Sequence, residues 1–165
     1  MTVEREVMTW ADLGAGGRAL AQAVHDDGWR PDLILGIARG GLLVAGALSY
    51  ALGVKNVYTM NVEFYTGIDQ RLEAPLILPP VPDPVDLRAA RVLIADDVAD
   101  TGATLELVKQ FCAGHVADAR CAVLYEKPRS LVRAEYVWKH TDLWITFPWS
   151  AEPPLLPAVA VPALS

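Results

Sequence analysis

Val92-Leu93-Ile94-Ala95-Asp96-Asp97-Val98-Ala99-Asp100-Thr101-Gly102-Ala103-Thr104 is the stretch that decides the fold of this chain. Four apolar residues run into three carboxylates, and these into a loop of small and hydroxylated residues. Leu105, Val108 and Cys112, with Leu107 and Phe111 alongside, then recur at helical spacing. The pattern predicts a buried strand, a loop at its carboxyl end and a helix that starts at the loop. Ligands of open α/β sheets bind at that edge. A helix start presents unpaired N–H groups and the positive end of a dipole, which suit a phosphate. Gly102 lets the backbone approach a ligand closely, and Thr101 and Thr104 add hydroxyl donors. The carboxylates cannot hold phosphate themselves; they require a cation, a sugar diol or a metal. A magnesium-bound phosphosugar meets all of these demands.

The same arrangement occurs upstream. Residues 33–37 read as a buried parallel strand. Ala38-Arg39-Gly40-Gly41 follows, then a helix over 42–52 that ends at Gly53. Glycine-exposed N–H groups beside a guanidinium make a second anion site. Residues 56–63 read as a third strand. Residues 120–125 read as another, ending at Glu126-Lys127-Pro128-Arg129, where a lysine can donate to a carbonyl oxygen on a base. A short strand over 135–138 and a closing segment over 143–149 complete the pattern. In that segment Trp144, Phe147 and Trp149 either cap the core or stack on a flat heterocycle. Thr9 and Asp12 form an acidic variant of a capping box for a packing helix that ends near Gly28. Its glycine run over 14–17 weakens the first turn, and Trp10 and Trp29 are expected in the core or at its edge.

A chain of 165 residues with 53% apolar content suits one domain with a proper core. Its formal net charge of −6 speaks against a nucleic-acid partner, which needs a basic face. Cys112 and Cys121 lack metal-ligand spacing and are expected as buried thiols in a reducing compartment. His25, His115 and His140 are expected as surface or packing residues. There is no apolar signal core and no run of membrane-spanning length. A soluble, cytoplasmic protein without a membrane partner is expected. Residues 64–90 have no sustained period and hold Pro79-Pro80-Val81-Pro82-Asp83-Pro84, so they are expected to form a functional or disordered loop. The expected organisation is one domain over 1–150 and a Pro/Ala-rich tail over 151–165.

The run from Asp96 to Thr104 resembles the signature of the type I phosphoribosyltransferases, which bind 5-phosphoribosyl 1-pyrophosphate (PRPP). Thr9-Trp10, Arg39-Gly40-Gly41-Leu42, Lys127-Pro128 and Trp144-Ile145 before Pro148-Trp149 are similar to the xanthine-guanine and hypoxanthine branch. The resemblance implies an α/β fold with a mainly parallel central sheet flanked by helices, a flexible hood over about 64–90 and a small purine-binding hood region. It implies purine salvage with Mg²⁺ as cofactor, PRPP and a purine base as substrates, and a homodimer or homotetramer. Asp96, Asp97, Asp100, Thr101, Gly102, Ala103 and Thr104 would bind PRPP, with Asp97 at the metal. Ala38, Arg39 and Gly40 would take pyrophosphate, Ala38 standing where purine members commonly have serine. Lys127, Trp144 and Ile145 would hold the purine. Asp100 and a hood arginine, Arg71, would be the catalytic pair. Thr146 and Ser150 stand where acidic or amide groups are expected, which leaves the purine 2-position open. The alternatives are a phosphoribosyltransferase for another base, a regulator that keeps the PRPP site as a sensor, and a generic nucleotide-binding α/β domain.

Overall fold

The computed structural model describes residues 2–63, 66–67, 70–71, 76–78 and 87–157. In chain order the elements are β1 (Arg5–Val7), α1 (Trp10–Asp26), β2 (Leu33–Ala38), α2 (Gly40–Leu52), β3 (Val57–Glu63), β4 (Thr66–Gly67), β5 (Gln70–Arg71), β6 (Leu76–Leu78), β7 (Arg91–Ala99), α3 (Ala103–Cys112), β8 (Asp118–Glu126), β9 (Tyr136–His140) and β10 (Trp144–Thr146). Among the described residues the central sheet runs β6-β3-β2-β7-β8-β9, parallel throughout except where β6 meets β3. This is the expected α/β architecture.

The inner strands read as unbroken apolar runs because both of their faces are covered. Ile34, Leu93, Ala95, Ala122 and Leu124 point one way and pack with Leu20, Val24, Val44 and Leu48 of α1 and α2. Leu33, Leu35, Ile37, Val92, Ile94, Cys121 and Val123 point the other way and pack with Leu105, Val108 and Cys112 of α3. Each fully buried Leu, Ile or Val contributes roughly 1.5–3 kcal/mol relative to exposure. Burial also pushes the thiols up, Cys112 to about 11 and Cys121 to about 12. Both cysteines are inert core residues. The three histidines lie at the surface.

Several boundaries differ from expectation, each for a local reason. β7 continues beyond its apolar run through Asp96 and Asp97 to Ala99, so two of the three carboxylates sit in the strand itself. β8 pairs with it along this whole length, up to Ala99↔Glu126, whereas β2 pairs only as far as Gly36↔Ala95. Helix α2 starts at Gly40, two residues early. A Cβ on Gly41 would stand 2.5 Å from the Ala95 carbonyl oxygen, so only glycine lets the helix start this close to β7. The α1 glycines also serve packing: a Cβ on Gly16 would meet the Trp138 ring at 2.9 Å, and one on Gly17 would meet Ala47 at the same distance. The capping box forms as expected, with the Asp12 N–H donating to Thr9 Oγ1 at 3.1 Å and the Thr9 N–H donating to Asp12 Oδ2 at 2.8 Å.

The segment over 143–149 is not one strand. β10 ends at Thr146, and Pro148 opens a single 3₁₀ turn, Pro148–Ser150. β10 leaves the central sheet and pairs in parallel with β1, Arg5 opposite Trp144 and Val7 opposite Thr146. Phe147 and Trp149 stack at 4.8 Å, and Phe147 meets Tyr125 edge-on at 5.9 Å. These two aromatics cap the core. Trp29 is buried and donates from Nε1 to Asp118 at 3.0 Å, while Trp10 is largely exposed against Trp149. Much of the expected hood over 64–90, and 158–165 of the expected tail, lie outside the described residues.

Candidate functional site

The sheet order reverses at β2, with β3 on one side and β7 on the other. The crevice beyond the carboxyl ends of β2 and β7 is therefore the topological switch point, where open α/β sheets take their ligands. Asp96 and Asp97 stand at its floor. Past the end of the β2 pairing their backbone bonds turn inward. The Asp97 N–H donates to Asp96 Oδ1 at 2.9 Å, and the Val98 N–H donates to Asp97 Oδ1 at 2.8 Å. Burial, and then the neighbouring Asp97 charge, hold Asp96 well above the ordinary 3.8. Burial raises Asp97 as well. Asp96 is buried and Asp97 half-buried, and neither forms an ion pair among the described residues, which is the electrostatic setting of a cation site.

The loop after β2 meets the same carboxylates. The Ala38–Arg39 peptide is cis, and the Arg39 side chain is exposed. A Cβ on Gly40 would overlap the Asp97 carboxylate. Gly40 thus brings the loop after β2 against Asp97 at the acidic end of β7.

Beyond Ala99 the chain turns into α3. Gly102 is the N-cap residue, with φ of +83°, and a Cβ there would stand 2.7 Å from Ser130 Oγ. Thr101 Oγ1 accepts from the Ala103 N–H at 3.3 Å. A cavity of about 70 Å³ follows the backbone from Val98 to Leu105, on the scale of one phosphate group. The turn after β8 holds this loop in place, since the Lys127 N–H donates to the Ala99 carbonyl at 2.9 Å and the Leu131 N–H to the Thr101 carbonyl at 2.8 Å.

A second cavity, of about 350 Å³, opens on the other side of Asp100. That volume suits a small ligand. Lys127, Trp144 and Ile145 line it, as expected, together with Thr146 and Ser150. Lys127 is buried, not a surface lysine, and its Nζ donates to the carbonyls of Leu143 and, at 3.3 Å, Asp142. An ammonium has three donors, so two are spent on positioning and one is left for a ligand. The Trp144 ring is exposed on the cavity wall, and Ile145 is half-buried. Two charged lining residues were missed. Arg129 pairs with Asp100; its signal was the charged run at the end of β8. Arg5 arrives on β1 and carried no local signal. The side chain of Arg71 lies outside the described ones.

No group of three or more His, Cys, Asp or Glu residues gathers at a metal-binding distance among the described residues. An all-protein cage is therefore not formed by them. Two carboxyls beside an anion-binding loop match the way Mg²⁺ is held, by one or two carboxylates plus substrate phosphates. Asp97 and Asp96 fit that role.

The phosphoribosyl transferase domain model matches residues 6–154. A xanthine-guanine phosphoribosyltransferase of Cereibacter sphaeroides is 33% identical over 149 residues, covering 86% of this chain and 84% of that protein. One from Nitratidesulfovibrio vulgaris is 32% identical over 147 residues, covering 88% and 84%. The crystal structure of a purine phosphoribosyltransferase from Pyrococcus horikoshii superposes with a TM-score of 0.80 at 35% identity, over 94% of this chain and 100% of that one.

Proposed function

The chain belongs to the phosphoribosyl transferase domain family, and from that premise we propose that it transfers the 5-phosphoribosyl group of PRPP to a 6-oxopurine. Guanine, xanthine or hypoxanthine is the acceptor; pyrophosphate and a nucleoside monophosphate are the products. One observation carries this reading: Asp100 lines both the phosphate-sized cavity and the larger one, so one carboxylate stands between a space that fits a phosphate and a space that fits a flat base.

The bond from ribose C1 to pyrophosphate breaks as purine N9 supplies the electron pair for the new bond. Asp100 accepts the proton that the purine gives up at N7. Asp96 and Asp97 hold the ribose hydroxyls and the metal-bound substrate. Asp97 would hold Mg²⁺ together with PRPP, and the ion would supply neutralisation of the leaving pyrophosphate. Thr101, Gly102, Ala103 and Thr104 bind the 5′-phosphate at the start of α3. Ala38, Arg39 and Gly40 take pyrophosphate, with Arg71 assisting. Lys127 donates to the 6-oxo group, Trp144 stacks on the ring, and the Ile145 backbone bonds its edge.

The catalytic unit is a single domain over 1–150, followed by a Pro/Ala-rich tail over 151–165. A homodimer or homotetramer is supported by exposed Leu42, Tyr50, Val57 and Tyr58 on α2 and β3. A cytoplasmic location accords with the finding that no helix among the described residues is long and apolar enough to cross a membrane.

The test is pyrophosphate release from PRPP and Mg²⁺ with guanine, xanthine, hypoxanthine, adenine, uracil and orotate. Release with 6-oxopurines is expected. Release only with uracil or orotate would make it a transferase for another base. Release with no base, despite PRPP binding, would make it a PRPP-responsive regulator.

A further inference from the structure

We propose that the base cavity selects a purine carrying an oxo group at its 2-position, xanthine over guanine, and that Arg5 makes the selection. This rests on the 6-oxopurine reading above and extends it to the opposite edge of the ring.

The cavity carries four charged side chains: Arg5, Asp100, Lys127 and Arg129. Three of them already have partners within the protein. Arg129 pairs with Asp100, and Lys127 is held by the Leu143 and Asp142 carbonyls. Arg5 forms no ion pair with any carboxylate among the described residues. It is exposed at the cavity and is held there by the pairing of β1 with β10, directly beside Trp144. Asp100 is the single carboxylate among the described residues that line the cavity.

A purine with N9 toward the ribose, N7 at Asp100 and its 6-oxo group at Lys127 has N1, C2 and N3 left to satisfy. The polar side chains left to meet them are Arg5, Thr146 and Ser150. A guanidinium donates and never accepts. It gives charge-assisted hydrogen bonds to a 2-oxo group, and more strongly to the xanthine anion, which forms readily near neutral pH. The 2-amino group of guanine brings two donors to a donor, an unfavourable meeting that among the side chains only the two hydroxyls relieve, the Ile145 backbone serving both bases alike. Hypoxanthine has no substituent at C2 and makes neither contact. One charge-assisted hydrogen bond gained or lost amounts to about tenfold or more in kcat/KM.

The experiment measures kcat/KM for the three bases in the wild type and in Arg5→Ala, Arg5→Lys and Arg5→Glu. Binding of xanthosine and guanosine monophosphates is titrated in parallel, as a readout independent of turnover. Expected are an advantage of about tenfold or more for xanthine over guanine in the wild type, and a xanthine-to-hypoxanthine ratio that drops about tenfold in Arg5→Ala. Arg5→Lys should retain the order, and Arg5→Glu should reverse it, with the two monophosphates following suit. A wild type that prefers guanine, or an Arg5→Ala variant that loses all three bases in equal proportion, would overturn the inference while leaving the 6-oxopurine reading intact. Turnover with none of the three would overturn that reading, and this inference with it.

Discussion

Arg129 donates from Nε to Asp100 Oδ1 at 2.8 Å, and from Nη2 to the same oxygen, so Oδ2 stands outside the ion pair. Asp100 is thereby held at the junction of the two cavities with one oxygen uncommitted. Both partners are partly exposed, 65% and 47%, so the pair itself contributes only about 0–1 kcal/mol to stability. Asp100→Asn is expected to lower kcat by about 10²-fold or more, to change KM for PRPP little and to leave the melting temperature nearly unchanged. Near wild-type turnover in this variant would falsify the role of Asp100 in proton transfer.

Lys127 has a double task, because the Nζ assigned to the base also binds the Leu143 and Asp142 carbonyls just ahead of β10. Lys127→Ala should raise KM for the purine by the equivalent of roughly 1–3 kcal/mol, the cost of a buried charged hydrogen bond. Trp144 follows immediately in the chain, so its environment should change too. Steady-state kinetics together with tryptophan fluorescence would check both. An unchanged KM would remove Lys127 from the base site.

Much of this was legible in the sequence because the chemistry is local. The run from Asp96 to Thr104 places strand end, loop and helix start within nine consecutive residues, and the apolar runs of β2, β7 and β8 record burial on both faces. What stayed hidden depends on distant partners. β1 is three residues of Arg, Glu and Val whose strand character comes only from pairing with residue 144 and its neighbours. The glycines of α1 read as weak helix formers, whereas they mark where Trp138 and Ala47 press against the helix. Asp96 and Asp97 stand between strand and loop in the sequence because carboxylates rarely end a buried strand. Their position follows from β8, which continues to pair after β2 has stopped.

The glycines between the two loops allow a prediction that separates binding from folding. A methyl group on Gly40 would overlap the Asp97 carboxylate, the far end of a side chain, while one on Gly41 would stand 2.5 Å from the Ala95 backbone oxygen. Backbone yields less readily than a side chain. Gly41→Ala should therefore destabilise the protein by about 1–3 kcal/mol, or several degrees in melting temperature for a chain of this size. Gly40→Ala should fold with a smaller loss but bind PRPP and pyrophosphate much more weakly. Calorimetric titration and thermal melts would distinguish the two. Full PRPP affinity in Gly40→Ala would detach this loop from the site.

Buried Asp96, beside Asp97, gives the unliganded protein a pH-dependent weakness. The Asp96 carboxyl is raised above its ordinary 3.8, chiefly by burial and further by the Asp97 charge. A carboxyl raised in the folded state contributes most below 3.8, where it is protonated whether the chain is folded or not. Its contribution is lost as pH rises through the higher folded value. Asp96→Asn keeps an oxygen that can accept the Asp97 N–H and removes the ionisation. Without ligand, the variant should melt close to wild type at pH near 4 and increasingly above it toward pH 8. With Mg²⁺ and PRPP the order should invert, because a bound cation favours the ionised carboxylates that the variant lacks. Thermal melts across this range, with and without ligand, test both halves. Equal midpoints at all pH values would mean that the Asp96 carboxyl is already compensated in the empty site.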